Sequence, residues 1–474
     1  MPPGTPGCDR ITAIAPSPVV ALARDPRIQS IERLVRALRP IHVGILGGLA
    51  ALVVVLARLW IAADGDITRF VVAGDVFVDP ETVEPRIHVL EHSWGYDGQF
   101  FWRLAVDPAE WDLSRHHGVQ LDNAYRPPRI VYPVLAWVAA LGQPGLVAWT
   151  MVGVNVVAVG VVAGLGAMVA EHGSRPALAG LLVASTPGLV FALSRDLSDI
   201  VTLAAVLAGV VALLRRRPGV ATVAWSVAVL SREQVVATIA GYGLWRLWRL
   251  LHDRDGTRFG AADLPWLVPP LVFALWQLVQ WARIGQLPIR AGGSNLTAPF
   301  ASLGPSVYDW TQGRMPTWDD ATPYQLGLAV VLVILAFVRG RRLLEPEDRW
   351  LLVSLGTVVL LAVSLAEPVW QGPADLRQVL DVFALSWVVL LAVPRQVTLG
   401  VSHPVRSPAR KDAGRWHSRS YVEDEDAASG ARDRREAPAT SPDEAQVPRR
   451  IPLVLVAATI AVWLATVEPR ALWI

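Results

Sequence analysis

Several residue types and signals are scarce in this chain, and each scarcity excludes a class of protein. Cys8 is the only cysteine, so no disulfide can form within the chain. Lys411 is the only lysine among 43 basic residues, a bias typical of the codon usage of a high-GC bacterium. The formal net charge of +2 is too small to indicate a nucleic-acid-binding protein. The first 40 residues lack the compact pattern of a cleaved signal peptide, so the apolar run from residue 41 predicts a retained helix.

Apolar residues are abundant instead. Hydrophobic side chains make up 53% of the 474 residues, the mean hydropathy is +0.39, and 20 residues are Trp. This composition is typical of a polytopic membrane protein. We therefore predict an all-α fold, a transmembrane helical bundle of about eleven or twelve hydrophobic helices. The longer apolar runs cover residues 41–62, 145–170, 176–194, 264–282, 323–338, 349–366, 379–394 and 451–466, and shorter ones cover 130–142, 200–214, 219–230 and 234–249.

The distribution of arginine sets the predicted orientation and domain order. Basic residues are enriched in cytoplasmic segments, so the arginine-rich segment 1–40 is predicted to be cytoplasmic. The segment 395–450 is rich in Pro, Ser, Ala and charged residues and predicts a disordered cytoplasmic linker. The remaining predicted regions are a transmembrane catalytic domain at 41–394, with outer loops at about 63–129 and 283–322, and a last transmembrane helix with the C-terminus at 451–474.

The short apolar run 130–142 decides the predicted topology of the first half. An odd number of crossings must separate the first outer loop from the basic cluster at 215–217, yet four apolar runs lie between them. We expect 130–142, the shortest of the four, to be a partial or interfacial helix, which places residues 195–199 outside. The alternative, in which 130–142 crosses fully and residues 195–199 are cytoplasmic, stays open.

The segment Trp94-Gly-Tyr-Asp-Gly-Gln-Phe-Phe-Trp102 is the most informative stretch of the chain. It places one acid, Asp97, between glycines that allow a sharp turn or a close approach of the backbone to a ligand. The apolar spacing beyond Asp97 predicts an amphipathic interfacial helix at about 96–105. A carboxylate beside lipid is costly unless it has a partner or a function, so Asp97 is the first candidate for a catalytic residue. The alternative is an acid that caps a helix at the water boundary.

Four motifs follow one another in a recognisable order. They are Gly95-Tyr-Asp-Gly-Gln-Phe-Phe101 with Asp107-Pro108, Tyr125-Arg-Pro-Pro-Arg-Ile-Val-Tyr-Pro133, Ser194-Arg-Asp-Leu-Ser-Asp199, and Leu230-Ser-Arg-Glu-Gln234. Over roughly residues 41–250 they resemble the first outer loop and following helices of the GT-C superfamily of polytopic membrane glycosyltransferases. The resemblance implies a polyprenyl-phosphate-linked sugar donor and an outer-loop acid, here Asp97, that is the catalytic base or binds a metal. A single Asp stands where some members carry Asp-x-Asp, so no metal ligand is assigned and a divalent metal stays open as a cofactor.

Arginines beside apolar runs on the predicted outer side are candidates for holding the donor phosphate. A guanidinium group keeps its charge, and its planar fork suits phosphate. These candidates are Arg126, Arg129, Arg195, Arg232 and Arg377, and the other substrate-binding candidates from the same motifs are Tyr96, Gln99, Asp196 and Glu233. In the alternative reading the arginines are interfacial anchors or ion-pair partners of Asp196, Glu233 and Asp375.

Histidines of the first outer loop raise the question of a metal site. His88 and His92 would share a helix face beside Glu91, and a spacing of four residues suits metal ligation. The sequence specifies no third ligand, and exposed loop histidines are common. The sequence therefore assigns no metal-binding residue.

Composition and resemblance together predict an inverting GT-C-type glycosyltransferase in the cell membrane, with its active site on the extracytoplasmic side. It would transfer a sugar from a polyprenyl-phosphate donor to a cell-envelope glycan or lipid acceptor, with membrane lipids but no nucleic acid as further partners. One alternative is a transporter or lipid flippase in which Asp97, Asp196 and Glu233 form a proton or cation relay, although the sequence shows no inverted repeat. The other alternative is a non-catalytic scaffold for envelope assembly.

Overall fold

The computed structural model describes residues 37–252, 258–292, 295–315, 321–370 and 379–394. The described chain is mostly helical, in agreement with the predicted all-α class. Several predictions lie outside the described residues: most of the cytoplasmic segment 1–40, the linker 395–450, the last helix 451–474, and the side chains of Asp375 and Arg377.

The elements are numbered here in chain order. The α-helices are α1 Pro40–Ile61, α2 Gly98–Val106, α3 Val131–Ala139, α4 Val147–His172, α5 Leu181–Ala184, α6 Pro187–Ser194, α7 Asp199–Leu214, α8 Pro218–Ser231, α9 Val236–His252, α10 Leu264–Ile284, α11 Pro288–Ala291, α12 Leu303–Thr311, α13 Ala321–Leu343, α14 Trp350–Val363, α15 Glu367–Trp370 and α16 Leu380–Ala392. Two pairs of very short strands lie in residues 63–129, the segment predicted as the first outer loop and called by that name below: β1 Ala73–Gly74 parallel to β2 Val89–Leu90, and β3 Arg115–His116 antiparallel to β4 Val119–Gln120.

Three segments of the described chain are long and apolar enough to cross a membrane: Pro40–Ile61, Pro144–His172 and Ala261–Ile284. A fourth counts if Ala177–Ala184 and Pro187–Ser194, which meet at 60°, form one broken span. Helices α1 and α10 expose rows of large apolar side chains, as helices in contact with lipid do. These features are consistent with a membrane protein, although fewer helices than the predicted eleven or twelve meet the requirements of length and composition.

The apolar run 130–142 forms only the nine-residue helix α3. At 1.5 Å per residue, α3 is about 14 Å long, which is less than half of the hydrocarbon core of a bilayer. It ends before Leu141 and Gly142, both of which have positive φ angles. The run therefore forms a helix too short to span a bilayer alone, and the side on which residues 195–199 lie stays a prediction.

Glycines let α1 and α4 touch backbone to backbone. Gly44 and Gly48 on α1 face Gly160 and Gly164 on α4, and in each helix a spacing of four residues places the pair on one face. A Cβ atom at Gly160 would lie 2.9 Å from the carbonyl oxygen of Gly44. Small residues at this spacing are typical of helix pairs in membranes. Because the beginning of α1 lies beside the later part of α4, the two helices are antiparallel.

The same antiparallel packing recurs along the bundle and defines two ends. Thr202 near the start of α7 donates to Ser231 at the end of α8 at 2.8 Å. Between α14 and α9, Ser354 donates to the carbonyl oxygen of Thr238 at 3.0 Å and Thr357 to that of Ala237 at 2.7 Å, so the two helices run in opposite directions. The end at which α4, α7, α9 and α16 begin and α8 finishes is called the site end. The opposite end is called the arginine end, because it carries Arg215, Arg216, Arg217, Arg246, Arg249, Arg339, Arg341 and Arg342.

The helix predicted after Asp97 is present as α2, but its predicted interfacial surface is not. All nine residues of α2 are buried, including the polar Gln99 and Arg103. Nη2 of Arg103 donates to the carbonyl oxygen of Asp112 at 2.8 Å, so a later part of the same loop folds over the polar face of the helix. The helix is amphipathic as predicted, but its interfacial position was wrong, because the spacing of apolar residues within a helix does not show which later part of the chain packs over its polar face.

Candidate functional site

The backbone around Asp97 is held from both sides. Asp97 directly precedes α2, and the N–H of Tyr96 donates to the carbonyl oxygen of Val72 at 2.8 Å. A Cβ atom at Gly98 would lie 2.5 Å from the carbonyl oxygen of Arg195 and 2.6 Å from that of Val71, so only glycine fits there. The segment that carries Asp97 therefore packs directly against the loop that carries Arg195.

Arg126 joins Asp97 to a second acid that sequence reasoning did not single out. Its Nη1 donates to Oδ1 of Asp97 at 2.5 Å, while Nε and Nη2 donate to the two oxygens of Asp122 at 2.9 and 3.0 Å. The guanidinium carbon lies 4.4 Å from the ring centre of Phe100 and 4.5 Å from that of Tyr125. Burial acts to lower the pKa of Arg126, but the charge of Asp97 and the hydrogen bond to Asp122 raise it above its usual range, so the group stays charged.

Arg129 ties the first outer loop to the junction between α8 and α9. Its Nε and Nη2 donate to the two carboxylate oxygens of Glu233 at 3.0 and 2.5 Å. Burial acts to raise the pKa of Glu233, but the charge and hydrogen bonds of Arg129, with the charge of Arg232, lower it to about 2. The Glu233 side chain is nevertheless 45% exposed, whereas that of Arg129 is 8% exposed. This pair is therefore ionised, with its acidic member open to a ligand or to water.

A second ion pair lies next to the first at the site end. Arg232 forms a salt bridge with Asp199 at the start of α7, and both side chains are buried. Beside it, Nε2 of Gln234 donates to Oδ2 of Asp381, on the first turn of α16, at 3.1 Å. Helices α7 and α16 and the α8–α9 junction thus contribute charged or polar groups to one cluster.

Asp196 is the most deeply enclosed of the predicted acids. It is fully buried, and its φ of 49° is in the left-handed region that few residues other than glycine adopt. Tyr132 donates to Oδ1 of Asp196 at 3.4 Å and itself accepts from Asn155 at 2.9 Å. Burial raises the pKa of Asp196 well above its usual range, against the opposing effects of Tyr132 and the charge of Arg58. The structure therefore places Asp196 behind the site, in contact with α3 and α4.

The remaining candidates fall into two kinds of environment. The Arg195 guanidinium carbon lies 3.7 Å from the ring centre of Phe191 and 5.8 Å from that of Tyr96, so Arg195 and Tyr96 belong to one aromatic and cationic group. Gln99 is fully enclosed: its oxygen accepts from the N–H of Gly74 at 3.0 Å, and its Nε2 donates to the carbonyl oxygen of Trp94 at 2.8 Å. Gln99 thus stabilises the loop, because the oxygen and the nitrogen of its side-chain amide both bond to backbone groups.

The structure brings most of the predicted site residues together at the site end. Tyr125 connects the two arginines of the first outer loop, because the Arg126 and Arg129 guanidinium carbons lie 4.5 and 5.0 Å from its ring centre. Sequence reasoning missed Asp122, Tyr125 and Asp381 as members of the cluster. For Asp122 a signal existed, since it precedes Arg126 by four residues, the spacing of a local ion pair. For Asp381 the sequence gave no comparable signal.

A divalent metal at Asp97 stays a sequence prediction. The Asp97 carboxylate accepts from the charged guanidinium of Arg126, which already satisfies one of its oxygens. The predicted pairing of His88 with His92 on a helix face is wrong, because this segment forms strand β2 followed by a turn with His92 at a φ of 53°. Elsewhere in the first outer loop, ligand atoms of Glu110, Asp112 and His116 lie within 4.8 Å of one another. That group is solvent-accessible, and its residues bond among themselves.

The site is assembled from regions distant in sequence: the first outer loop, the turn between α6 and α7, the junction of α8 and α9, and the beginning of α16. Cationic, acidic and aromatic groups alternate within it, an arrangement suited to an anionic ligand that undergoes proton transfer. The chain matches no protein-family model, no curated protein and no solved structure.

Proposed function

We propose that this protein is a membrane glycosyltransferase that moves a sugar from a polyprenyl-phosphate donor to an envelope glycan or lipid acceptor. The observation that carries the proposal is the arrangement of Asp97 and Arg126, a carboxylate and a guanidinium joined at 2.5 Å beside the Arg129–Glu233 pair. Glycosyl transfer from a phosphate needs a base for the acceptor hydroxyl and cations for the leaving group. Both are side by side here.

In the proposed reaction Asp97 accepts the proton of the acceptor hydroxyl while that oxygen attacks the anomeric carbon of the sugar. The bond from that carbon to the phosphate oxygen breaks, and the electron pair leaves with the polyprenyl phosphate. Direct attack from the face opposite the leaving group inverts the configuration, which agrees with a single acid acting as base. No metal takes part in this sequence of steps.

Arginines of the site end stabilise the leaving phosphate in this scheme. A guanidinium has five N–H donors, and three of those of Arg126 bond to Asp122 and Asp97 within the described residues. Two donors of Arg126 therefore remain for phosphate oxygens. Arg129 can supply further donors by exchanging the half-exposed Glu233 for phosphate, since charge-assisted bonds to either anion are similar in strength.

The distribution of aromatic and basic residues supports a site on the outer membrane face. Exposed tryptophans lie at both ends of the bundle, with Trp60, Trp149 and Trp281 towards the site end and Trp248 at the arginine end. Amphipathic Trp rings prefer the headgroup depth of a bilayer, and basic residues prefer the cytoplasmic side. With the arginine end in the cytoplasm, the site end faces the periplasm or cell exterior.

Glycan analysis of cells that lack the gene tests the proposal. We expect one sugar to be missing from an envelope glycan or lipid, its polyprenyl-phosphate donor to accumulate, and both changes to be reversed by the wild-type gene. Wild-type glycans with an unchanged donor level would contradict a transferase.

The buried acids favour a transporter as the second candidate. Asp196 is fully buried with a raised pKa, and a protonatable acid of this kind inside a helical bundle is typical of a proton relay. A transporter predicts that the same deletion leaves every glycan sugar present and instead holds a lipid precursor in the inner leaflet. Leaflet-specific labelling of the precursor separates the two functions.

A further inference from the structure

Two adjoining cavities lie at the arginine end, away from the candidate site. The larger, of about 1220 Å³, is bounded by the end of α4, by α9 and by the turn at residues 345–349. The smaller, of about 400 Å³, is a groove between α13 and α14. Val353 lines both, so the groove begins beside the cavity.

The larger cavity carries balanced charge. Its charged lining consists of three basic and three acidic residues, Arg216, Arg249, Arg349, Glu345, Glu347 and Asp348, so its formal charge is zero apart from two histidines. Some of these charges already pair within the protein: Arg216 bridges to Glu347, and His172 bonds to Asp348 at 2.7 Å. A ligand that carries one positive and one negative group would meet complementary charges, whereas an anion or a cation alone would meet repulsion from half of the lining.

Aromatic rings form another wall of this cavity. The guanidinium carbon of Arg249 lies 5.4 Å from the ring centre of Trp245, and the His252 ring stacks on Trp248 at 5.5 Å. Trp248 is 59% exposed, and the neighbouring Leu244 and Leu251 of α9 are 53% and 71% exposed. Exposed tryptophan, arginine and leucine on one helix are typical of a segment at the headgroup level of a membrane.

The groove is apolar where the cavity is polar. Phe337, Leu352, Gly356 and Leu360 line it, and Arg341 lies at the end nearest the arginine end. Space remains beside Gly356, because the nearest atom to a Cβ built there is Cζ of Phe337 at 3.7 Å, an ordinary van der Waals distance. An unbranched hydrocarbon chain fits a groove of this composition.

We propose that the cavity and the groove together bind one zwitterionic phospholipid. The phosphate would contact Arg216, Arg249 or Arg349, the ammonium group would contact Glu345 and Glu347, and one acyl chain would occupy the groove between α13 and α14. This site is separate from the candidate catalytic site and does not depend on the proposed glycosyl transfer.

Native mass spectrometry of the full-length protein in detergent tests the charge argument. The protein is offered equal amounts of phosphatidylethanolamine and phosphatidylglycerol with identical acyl chains. We expect phosphatidylethanolamine to be retained preferentially, and we expect the double variant Glu345→Gln, Glu347→Gln to shift the preference towards phosphatidylglycerol. Equal retention of both lipids, or preference for phosphatidylglycerol by the wild type, would overturn the proposal.

Substitutions at two glycines test whether the groove holds an acyl chain. In Gly356→Leu the new side chain fills the groove and displaces about two methylene groups of a bound chain, so we expect about tenfold less phosphatidylethanolamine bound. Gly327→Leu is the matched control, because Gly327 lies on α13 with no neighbouring atom within 4 Å of a built Cβ. Equal lipid binding by the two variants would show that the groove holds no acyl chain. Their melting temperatures verify that both are folded.

Discussion

Replacing Asp97 by Asn should abolish most activity while leaving the protein folded. Asn has nearly the shape of Asp, and its oxygen can still accept from Nη1 of Arg126, so the change keeps this contact and removes a charge and a proton acceptor. The Asp97 and Arg126 side chains are only 15% and 12% exposed. Weakening one charge-assisted hydrogen bond in this setting costs about 1.5 to 3 kcal/mol of stability at most. Asp122 still holds Arg126 through two hydrogen bonds, so the guanidinium keeps its position.

The loss of a general base has a larger effect on the reaction than on stability. If Asp97 accepts the hydroxyl proton, transfer should fall by about 10² to 10⁴. The measurement is glycan analysis of cells that carry the variant at wild-type membrane abundance, together with the melting temperature of the purified protein. Donor binding should change little, because the arginines hold the phosphate.

Asp122→Asn is the matched control for this experiment. Asp122 pairs with the same guanidinium, through two bonds instead of one, but it is not the proposed proton acceptor. We expect a comparable loss of stability and a much smaller loss of transfer. If both variants lose transfer equally, Asp97 serves only to hold Arg126, and the assignment of Asp97 as the base is refuted.

Three further predictions follow from the fold and its charges. In a cysteine-free background, Ser114→Cys at the site end should react with an impermeant thiol reagent in intact cells. Ser174→Cys at the arginine end should not react, and the reverse pattern would show that the protein has the opposite orientation. Glu233 has a folded pKa of about 2 against an ordinary 4.5, so its ion pair stabilises the protein above pH 4.5 and the stabilisation is lost as the pH falls towards 2. The melting temperature of wild type should therefore exceed that of Glu233→Gln at pH 6, and a constant difference down to pH 3 would contradict the pairing. Gly160→Val should lower the melting temperature by separating α1 from α4 at a cost of about 1 to 3 kcal/mol, whereas Gly153→Val, with open space around its Cβ, should not.

Helix positions could be predicted where a local signal determines them. The apolar run predicted at 264–282 forms α10, Leu264–Ile284, and ends at Gly285, whose φ of 76° suits the residue after a helix. The run at 41–62 forms α1, which begins at Pro40, a residue favoured in the first helical turn. Both boundaries depend on residues within the segment itself.

Contacts between distant segments could not be predicted. Arg129 and Glu233 were both candidates, but their pairing joins residues 104 positions apart, and no periodicity encodes such a contact. The enclosure of α2 has the same origin, since Gln99 bonds to Gly74 across 25 residues. The composition of the site was thus accessible from the sequence, while its internal pairing depends on how the first outer loop folds.

The backbone contact between α1 and α4 constrains the order in which the molecule can be assembled. Residues 62–146 separate the two helices, so at about 5 to 20 residues per second the ribosome needs roughly 4 to 17 s to deliver the partner of α1. During this interval α1 exists without its glycine-packed neighbour. The surroundings of the candidate base also form late. The Tyr132 ring packs against Phe101 of α2, and its hydroxyl donates to the carbonyl oxygen of Met151 on α4. The packing around Asp97 is therefore complete only after α4 has been synthesised. A nascent chain released before that point would contain Asp97 but not the helix that fixes Tyr132 beside α2.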